Sequence, residues 1–381
     1  MQLLAAVLLA QAAPATPARD IVVTGRPLSA TERAWRDCLD RKCPPDELAA
    51  AALRHAENLF VAGRYPQAHS VVGKALSRVG GEGRTHPLPV SDLWRSYGRI
   101  AFHRGLNDLQ RASAIQSVMV LKRSFGADDP RVMAEELELA DVLVRAGEPR
   151  SAVRAYERVA ARAERLGNRT VQGGALLRAA MVELLIDKAA RDPSRSGGRR
   201  ALERLKRTAD PALATYREAA DALLASLDTQ VDEDLRFDKL AAHIAKRPSR
   251  TPVLLHAPPI EDPAAERRAA RAEAGDTWIP DTASKDQWID LAYRIGADGH
   301  PHSVEVLRKG PGTRGEWVDW VLTSVRGRRY APLALEAGSP GVYRVERVTR
   351  TSPTIALTGS RIVSRTGAPQ IAFLDLTAEG D

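Results

Sequence analysis

The chain has 381 residues, of which 44% are hydrophobic, 27% charged and 5% aromatic. This length allows about two or three domains that each bury their own core, and the composition is that of an ordinary globular protein. The formal net charge of +8 is compatible with an anionic partner surface. Arginines solvated on helix faces are the favoured explanation, because the charge is not gathered in blocks. The low aromatic content argues against stacking on nucleic acid.

The N-terminus carries a short apolar run, Leu3–Ala10, followed by an A-x-A sequence at residues 10–12. The run is much shorter than the roughly 20 apolar residues that a membrane span needs, and it matches a secretory signal peptide over residues 1–12. A buried apolar N-terminal segment is the alternative. No later stretch reaches membrane-spanning length, so we expect an exported protein that does not span the membrane.

The two cysteines, Cys38 and Cys43, lie close together in the stretch RDCLDRKCPP. An even number of cysteines at short spacing in an exported chain predicts a disulfide. Two free buried thiols are the alternative. Two ligands alone cannot make a structural zinc site, and no further Cys or His is close by in the sequence, so we expect no metal here.

From residue 29 to about residue 228 the pattern is helical. We predict that Ser29 and Glu32 form a capping box at the start of the first helix. Glycines that supply a left-handed turn recur with a fixed spacing of 42 residues, at Gly63, Gly105 and Gly147. A fixed period of this size predicts a solenoid of helix-turn-helix units. The fourth unit is irregular, since no glycine stands near residue 189.

The first unit contains GRYPQA at residues 63–68 and AL at residues 75–76. These residues resemble the G-x-Y-x-x-A…A-L signature of the tetratricopeptide repeat family. The resemblance covers about residues 46–228. It implies an all-α solenoid that binds peptides or partner proteins in a concave groove.

A different pattern follows a predicted linker over residues 229–283. Apolar residues alternate from Ile289 to Ile295, a turn follows at residues 296–299, and a second strand spans Ser303–Leu307. An amphipathic helix is predicted over Val318–Val325, and a third strand lies in GVYRVERVTR at residues 341–350. The order β-β-α-β predicts a small α+β domain over residues 284–351.

This domain resembles the C-terminal domain of the TonB energy-transducer family over residues 287–351. The resemblance rests on IDLAYRIGADGHPHSVEVLRKG (289–310), VRGRRYAP (325–332) and the third strand, whereas the family's membrane anchor and Pro-rich spacer have no counterpart. It implies a location in the periplasm of a Gram-negative bacterium and a sheet edge that captures an extended strand. The residues expected at this edge are Val342, Tyr343, Arg344, Val345, Arg347 and Thr349.

A strand-forming run within the extended N-terminal segment, residues 13–28, resembles the TonB box of outer-membrane receptors. We predict that it adds to the sheet edge of its own chain or of a neighbour, and a flexible tail is the alternative. Residues 352–381 form a C-terminal strand extension that either extends the sheet or covers one of its edges. The six residues of the N-terminal run are Asp20, Ile21, Val22, Val23, Thr24 and Gly25.

The sequence contains no G-x-S-x-G, H-E-x-x-H or P-loop pattern typical of an enzyme. His300 and His302 lie in a predicted turn, where simple solvation is favoured over a weak metal site. We therefore expect a non-enzymatic periplasmic scaffold without a cofactor. Its partner would be a protein or peptide, such as an outer-membrane receptor or its own N-terminal segment. The alternatives are a TonB-type energy transducer for outer-membrane receptors and a cell-wall-binding protein, and a homodimer is left open.

Overall fold

The computed structural model of this chain describes residues 27–190, 196–227, 251–260, 287–356, 363–365 and 369–377. The predicted signal peptide, the strand-forming run at residues 20–25 and most of the predicted linker lie outside these ranges. Within them, a region of helical repeats is followed by a small region of antiparallel strands. This order of a helical and a sheet region agrees with the sequence prediction.

The helical region consists of helices that pack mainly against their neighbours in the sequence, as expected for a solenoid. Small residues recur where the helices approach closely, and Ala56 and Ala140 are both buried. The helices are α1 (Leu28–Asp40), α2 (Pro45–Val61), α3 (Tyr65–Val79), α4 (Pro87–His103), α5 (Asn107–Phe125), α6 (Pro130–Arg145), α7 (Pro149–Arg165), α8 (Arg169–Ala190), α9 (Gly197–Lys206) and α10 (Ala214–Leu227).

The three evenly spaced glycines end α2, α4 and α6 in the same way. Gly63, Gly105 and Gly147 have φ values of 72°, 71° and 79°, a left-handed conformation that glycine adopts without steric cost. After each glycine, the next N–H donates to the carbonyl five residues earlier at 2.8–2.9 Å. This is the Schellman motif. The predicted role of these glycines is therefore confirmed.

The start of α1 differs from the prediction. The helix begins at Leu28 with Pro27 as its N-cap, and no side chain caps it. Glu32 pairs with Arg36 one turn further on, so the predicted capping box of Ser29 and Glu32 does not form.

The predicted disulfide is present in the structure. Cys38 and Cys43 are joined, with their Cα atoms 5.1 Å apart, and the bond ties the end of α1 to the loop before α2. None of the helices in the described ranges is long and apolar enough to cross a membrane.

A four-stranded antiparallel sheet with the order β3-β2-β5-β8 forms the second region. Two further ladders pair β1 with β4 and β6 with β7. Two strands, a helix and a further strand of this region follow one another in the predicted order β-β-α-β. The elements are β1 (Leu254–His256), β2 (Gln287–Ile295), β3 (Pro301–Lys309), α11 (Trp317–Arg326), β4 (Arg329–Tyr330), β5 (Val342–Thr351), β6 (Thr354–Ala356), β7 (Val363–Arg365) and β8 (Gln370–Asp375).

β5 is an interior strand, which corrects the predicted position of the strand-capture edge. β8 pairs with β5 over Glu346–Thr351, a stretch that includes Arg347 and Thr349 of the predicted edge. This pairing is stabilised because Ile371 and Phe373, alternate residues of β8, continue the apolar face of the sheet. The C-terminal extension therefore extends the sheet, and among the described strands β8 forms the edge on this side.

The two faces of the sheet pack against different elements. On one face, Ile289, Leu291 and Tyr293 form a core with the apolar side of α11. On the other face, Trp288 joins the core of the first helices, and Leu374 packs against it. The sheet therefore lies between α11 and the helical region.

Candidate functional site

Arg347 fixes the sheet to the first helical turn. Its side chain is 0% exposed, and Nη1 donates to Phe60 O (3.0 Å) and to Tyr65 Oη (2.9 Å) while Nη2 donates to Val61 O (2.7 Å). Phe60 and Val61 end α2, where carbonyl groups lack partners within the helix. A cation also interacts favourably with the dipole at a helix C-terminus. The sheet thus supplies a cap for α2.

The charge of Arg347 is balanced within the sheet. Asp290 of β2 contacts Arg347 Nε and accepts from Nη2 at 3.1 Å. It also accepts a hydrogen bond from Arg308 Nε at 2.8 Å. The ring centroid of Trp288 lies 3.8 Å from the guanidinium carbon of Arg347. Because a buried ion pair is stable only when its hydrogen bonds are well satisfied, these contacts make Arg347 and Asp290 a coupled docking pair.

The second helical turn receives the chain that follows β5 and the start of β8. Thr354 N donates to Gly105 O at 2.8 Å. Gln370 Nε2 donates to Phe102 O at 3.0 Å. The turn that ends α4 therefore accepts hydrogen bonds from the sheet region, as the turn that ends α2 does.

A buried polar contact lies between the two turns. His103 Nδ1 lies 3.0 Å from Thr349 Oγ1, and Tyr65 Oη lies 3.3 Å from the same hydroxyl. Burial, together with the charge of Arg347, lowers the pKa of His103 to about 3. The imidazole is therefore neutral at pH 7 and adds no positive charge beside Arg347.

Contact with the sheet region gives a second reason, besides the left-handed turn, why two of the three spaced positions require glycine. A Cβ at Gly105 would lie 2.5 Å from Ser352 O, and a Cβ at Gly63 would overlap the side chain of Trp288. At Gly147 a Cβ would meet no described atom within 4 Å. The sheet region therefore covers the first two turns, whereas the third is open among the described residues.

A cleft of about 1980 Å³ lies between the helices and the sheet and extends to the α11 face of the sheet, where Ser324 and Arg328 line it. It is larger than the roughly 300–1,000 Å³ of most small-molecule sites. One wall consists of α2, α4 and α6, which contribute Glu57, Arg99 and Asp141 at equivalent repeat positions. The other wall is the sheet, where every residue of 369–377 lines the cleft. A helical face opposite a strand edge suits an elongated peptide.

Part of the helical wall is neutralised internally. Arg95 donates from Nη1 to Asp92 Oδ1 at 2.9 Å and from Nε to Glu135 Oε2 at 3.1 Å. Tyr156 donates to Asp141, and burial raises the pKa of both groups. These side chains shape the wall and have little charge left for a ligand.

Other charged side chains of the wall are available. Arg99, Arg145, Glu57 and Glu138 line the cleft, and no ion pair involves them in the described part of the chain. The guanidinium carbon of Arg145 lies 5.6 Å from the ring centroid of Phe102. The helical wall therefore offers charges of both signs to a bound segment.

The outer edge of β8 presents backbone groups to the cleft. In an antiparallel pair, successive residues alternate between bonding to the neighbouring strand and pointing away from it. The bond from Leu376 N to Val345 O, 2.8 Å long, fixes this alternation along the β5–β8 register. The groups that point outwards belong to Ile371, Phe373 and Asp375, and no described strand pairs with them.

The structure relocates the predicted site residues. Tyr343 and Arg344 of the predicted edge line the cleft, whereas Arg347 and Asp290 form the docking pair, which sequence reasoning missed. The pair could have been found from the opposite charges of Asp290 and Arg347, which lie on the same face of neighbouring strands. The run Asp20–Gly25 lies outside the described residues, so its capture by a sheet edge stays a prediction.

The histidines of the predicted turn do not belong to a larger ligand cluster. His300 Nδ1 lies 3.4 Å from Asp298 Oδ2, and His302 Nδ1 lies 3.2 Å from Ser303 Oγ. Within the described ranges, the three-ligand cluster that occurs is Cys38, Cys43 and Glu47, and its cysteines are already joined to each other.

The described residues define a protein with a helical-hairpin repeat followed by a small antiparallel sheet. Its structural neighbours are TPR-like repeat proteins. The structures of Podosopora anserina putative kinesin light chain nearly identical TPR-like repeats include one with 16% identity and a TM-score of 0.39 over 53% of this chain and 97% of that chain. A variant of it has 13% identity and a TM-score of 0.40 over 51% and 86%.

A further neighbour is BtubC (BKLC) from P. vanneervenii, with 13% identity and a TM-score of 0.39 over 68% of this chain and 95% of that chain. No protein-family model matches the sequence. No curated protein matches it either.

Proposed function

We propose that this protein is a scaffold that binds an extended segment of a partner protein in the cleft, where the segment adds as a strand to the outer edge of β8. The observation that supports this most strongly is the row of outward backbone groups at Ile371, Phe373 and Asp375 inside the cleft. β8 has six residues, which corresponds to about 20 Å of edge. Backbone hydrogen bonds would supply affinity, and the helical wall would supply selectivity.

We also propose that the protein works in the periplasm and that the sheet region is a TonB-type C-terminal domain without catalytic activity. The apolar run at residues 3–10 supports export. The Cys38–Cys43 disulfide is compatible with an oxidising compartment. Mass determination of the protein recovered from the periplasm of a Gram-negative host tests this, because removal of residues 1–12 is expected.

Strand addition is tested by replacing Ile371 with proline. Proline has no N–H to donate, but at an outward position it leaves the bonds between β8 and β5 intact. We expect Ile371→Pro to abolish binding of extended peptides selected from a random display library against the full chain. Ile371→Ala is the matched control, because it removes the same side chain and keeps the N–H.

Affinities of the selected peptides are measured by isothermal titration calorimetry for both variants and for the unmodified chain. Loss of binding in the proline variant with retention in the alanine variant supports strand addition at β8. Equal binding by the two variants, or a library that yields no peptide for this cleft, would contradict the proposal.

A further inference from the structure

Arg328 lies between α11 and β4, on the sheet face opposite the helical region. Its side chain is 5% exposed and, together with Ser324 of α11, lines the part of the cleft that reaches this face. Nη1 donates to both carboxylate oxygens of Glu346 at 2.9 Å and to Tyr293 Oη at 3.0 Å. A longer contact of 3.4 Å joins it to Tyr330 Oη. A single nitrogen of this guanidinium therefore makes all of these bonds.

The other edge of the same guanidinium is unused. Arg328 Nε is buried and has no hydrogen-bond partner, and Nη2 makes no hydrogen bond within the described ranges. A buried N–H of a charged group is rarely left unsatisfied, because its desolvation is then uncompensated. Nε and Nη2 together form the planar fork that binds a carboxylate through two parallel hydrogen bonds. This fork is therefore a candidate binding position for a carboxylate.

The fork lies next to the strand that would receive a partner. The ring centroid of Phe373 in β8 is 4.9 Å from the guanidinium carbon of Arg328, and Phe373 is one of the residues whose backbone points outwards. Side chains directly opposite each other on neighbouring antiparallel strands have Cβ atoms about 4.5–5.5 Å apart. A residue that pairs with Phe373 would thus place its side chain on the same face as Arg328.

We propose that the segment bound at β8 carries an acidic residue opposite or next to Phe373, and that its carboxylate binds the Nε–Nη2 edge of Arg328. This inference rests on the proposed function, since it specifies the chemistry of the segment that the cleft binds. It identifies the partner by an extended conformation and one acidic side chain.

The resident carboxylate of Glu346 does not occupy the proposed position. Glu346 bonds to Nη1, and it also accepts a hydrogen bond from Tyr293 Oη at 2.7 Å, so its charge is not stabilised by Arg328 alone. The nearby carboxylate of Asp375 is paired with Arg344 Nη1 at 2.6 Å. The net charge of +8 further favours an acidic segment over a basic one.

The test compares each selected peptide with variants in which one Glu or Asp at a time is replaced by Gln or Asn. Calorimetric affinities are measured for the full-length unmodified chain and for Arg328→Lys, which keeps a positive charge for Glu346 but lacks the fork. Arg95→Lys is the matched control, because Arg95 lines the same cleft and is already paired with Asp92 and Glu135.

We expect one acidic position in the peptide at which replacement by Gln or Asn matters. There the replacement lowers the affinity for the unmodified chain and for Arg95→Lys by about tenfold or more. The same replacement lowers the affinity for Arg328→Lys by less than about twofold. Selected peptides without an acidic residue, or an equal loss in all three chains, would overturn the inference. Retained sensitivity to Ile371→Pro in that case would leave strand addition intact. Peptides insensitive to Ile371→Pro would instead contradict the proposed function.

If Arg328→Lys does not fold, a second measurement on the unmodified chain tests carboxylate binding at Arg328. Arginine Nε–H signals of the unmodified chain are observed by NMR after selective ¹⁵N labelling. The acidic peptide is expected to shift a slowly exchanging Nε–H signal that its amide variant leaves in place. The same shift with both peptides, or none with either, would contradict carboxylate binding at Arg328.

Discussion

Replacing Arg347 with methionine is expected to lower the free energy of unfolding by about 3–5 kcal/mol. Methionine fills a similar volume but leaves the Asp290 carboxylate buried without its main partner. It also removes the donors to the carbonyl groups of Phe60 and Val61. These carbonyls lie in the last turn of α2, where a helix supplies no donor of its own. The loss is therefore large for a single side chain.

Urea unfolding followed by tryptophan fluorescence measures this effect, and Trp288, one of six tryptophans in the chain, lies beside Arg347. Arg344→Met is the control on the same strand, because the Arg344 pair with Asp375 is partly exposed, at 22% and 53%. A pair of this kind contributes at most about 1 kcal/mol. Similar losses in the two variants would show that Arg347 does not hold the sheet on the helices.

Replacing Gly105 with alanine is expected to destabilise the protein by at least about 2 kcal/mol more than replacing Gly147 with alanine. Both positions have a left-handed backbone, at φ 71° and 79°, so both variants carry a similar conformational cost of about 1–2 kcal/mol. In Gly105→Ala the new methyl group would also lie 2.5 Å from Ser352 O. The bonds from Thr354 to the carbonyl of residue 105 would then be lost.

The two glycine variants form a matched pair because the repeat places them at equivalent turns. The difference between their free energies of unfolding isolates the contact with the sheet region from the cost of the turn. Urea titrations of both variants under identical conditions give this difference. Equal destabilisation would contradict the docking of the sheet on the second turn.

Features that depend on neighbouring residues could be predicted from the sequence. The helical turns follow from the left-handed glycines at Gly63, Gly105 and Gly147, because a Schellman motif involves only residues within one turn of the helix end. The alternation from Ile289 to Ile295 predicts β2 for the same reason, since each strand residue faces the side opposite to the one before it.

Features that depend on distant contacts could not be predicted in this way. Arg347 Nη2 bonds to Val61 O across 286 residues of sequence, and nothing near Arg347 indicates that a helix end will meet it. The pairing of β8 with β5 is likewise non-local, so the edge was predicted one strand too early. The cleft follows from both contacts and therefore could not be located from the sequence, nor could the unused edge of Arg328.

Amide hydrogen exchange of β8, measured by NMR on the full chain with and without a selected peptide, tests the central claim most directly. In the free chain, the N–H groups of Ile371 and Phe373 are expected to exchange rapidly, while those of Ala372 and Leu374 are protected by β5. Peptide binding is expected to protect Ile371 and Phe373 selectively. Protection of these two amides in the free chain, or no change on binding, would contradict strand addition at β8.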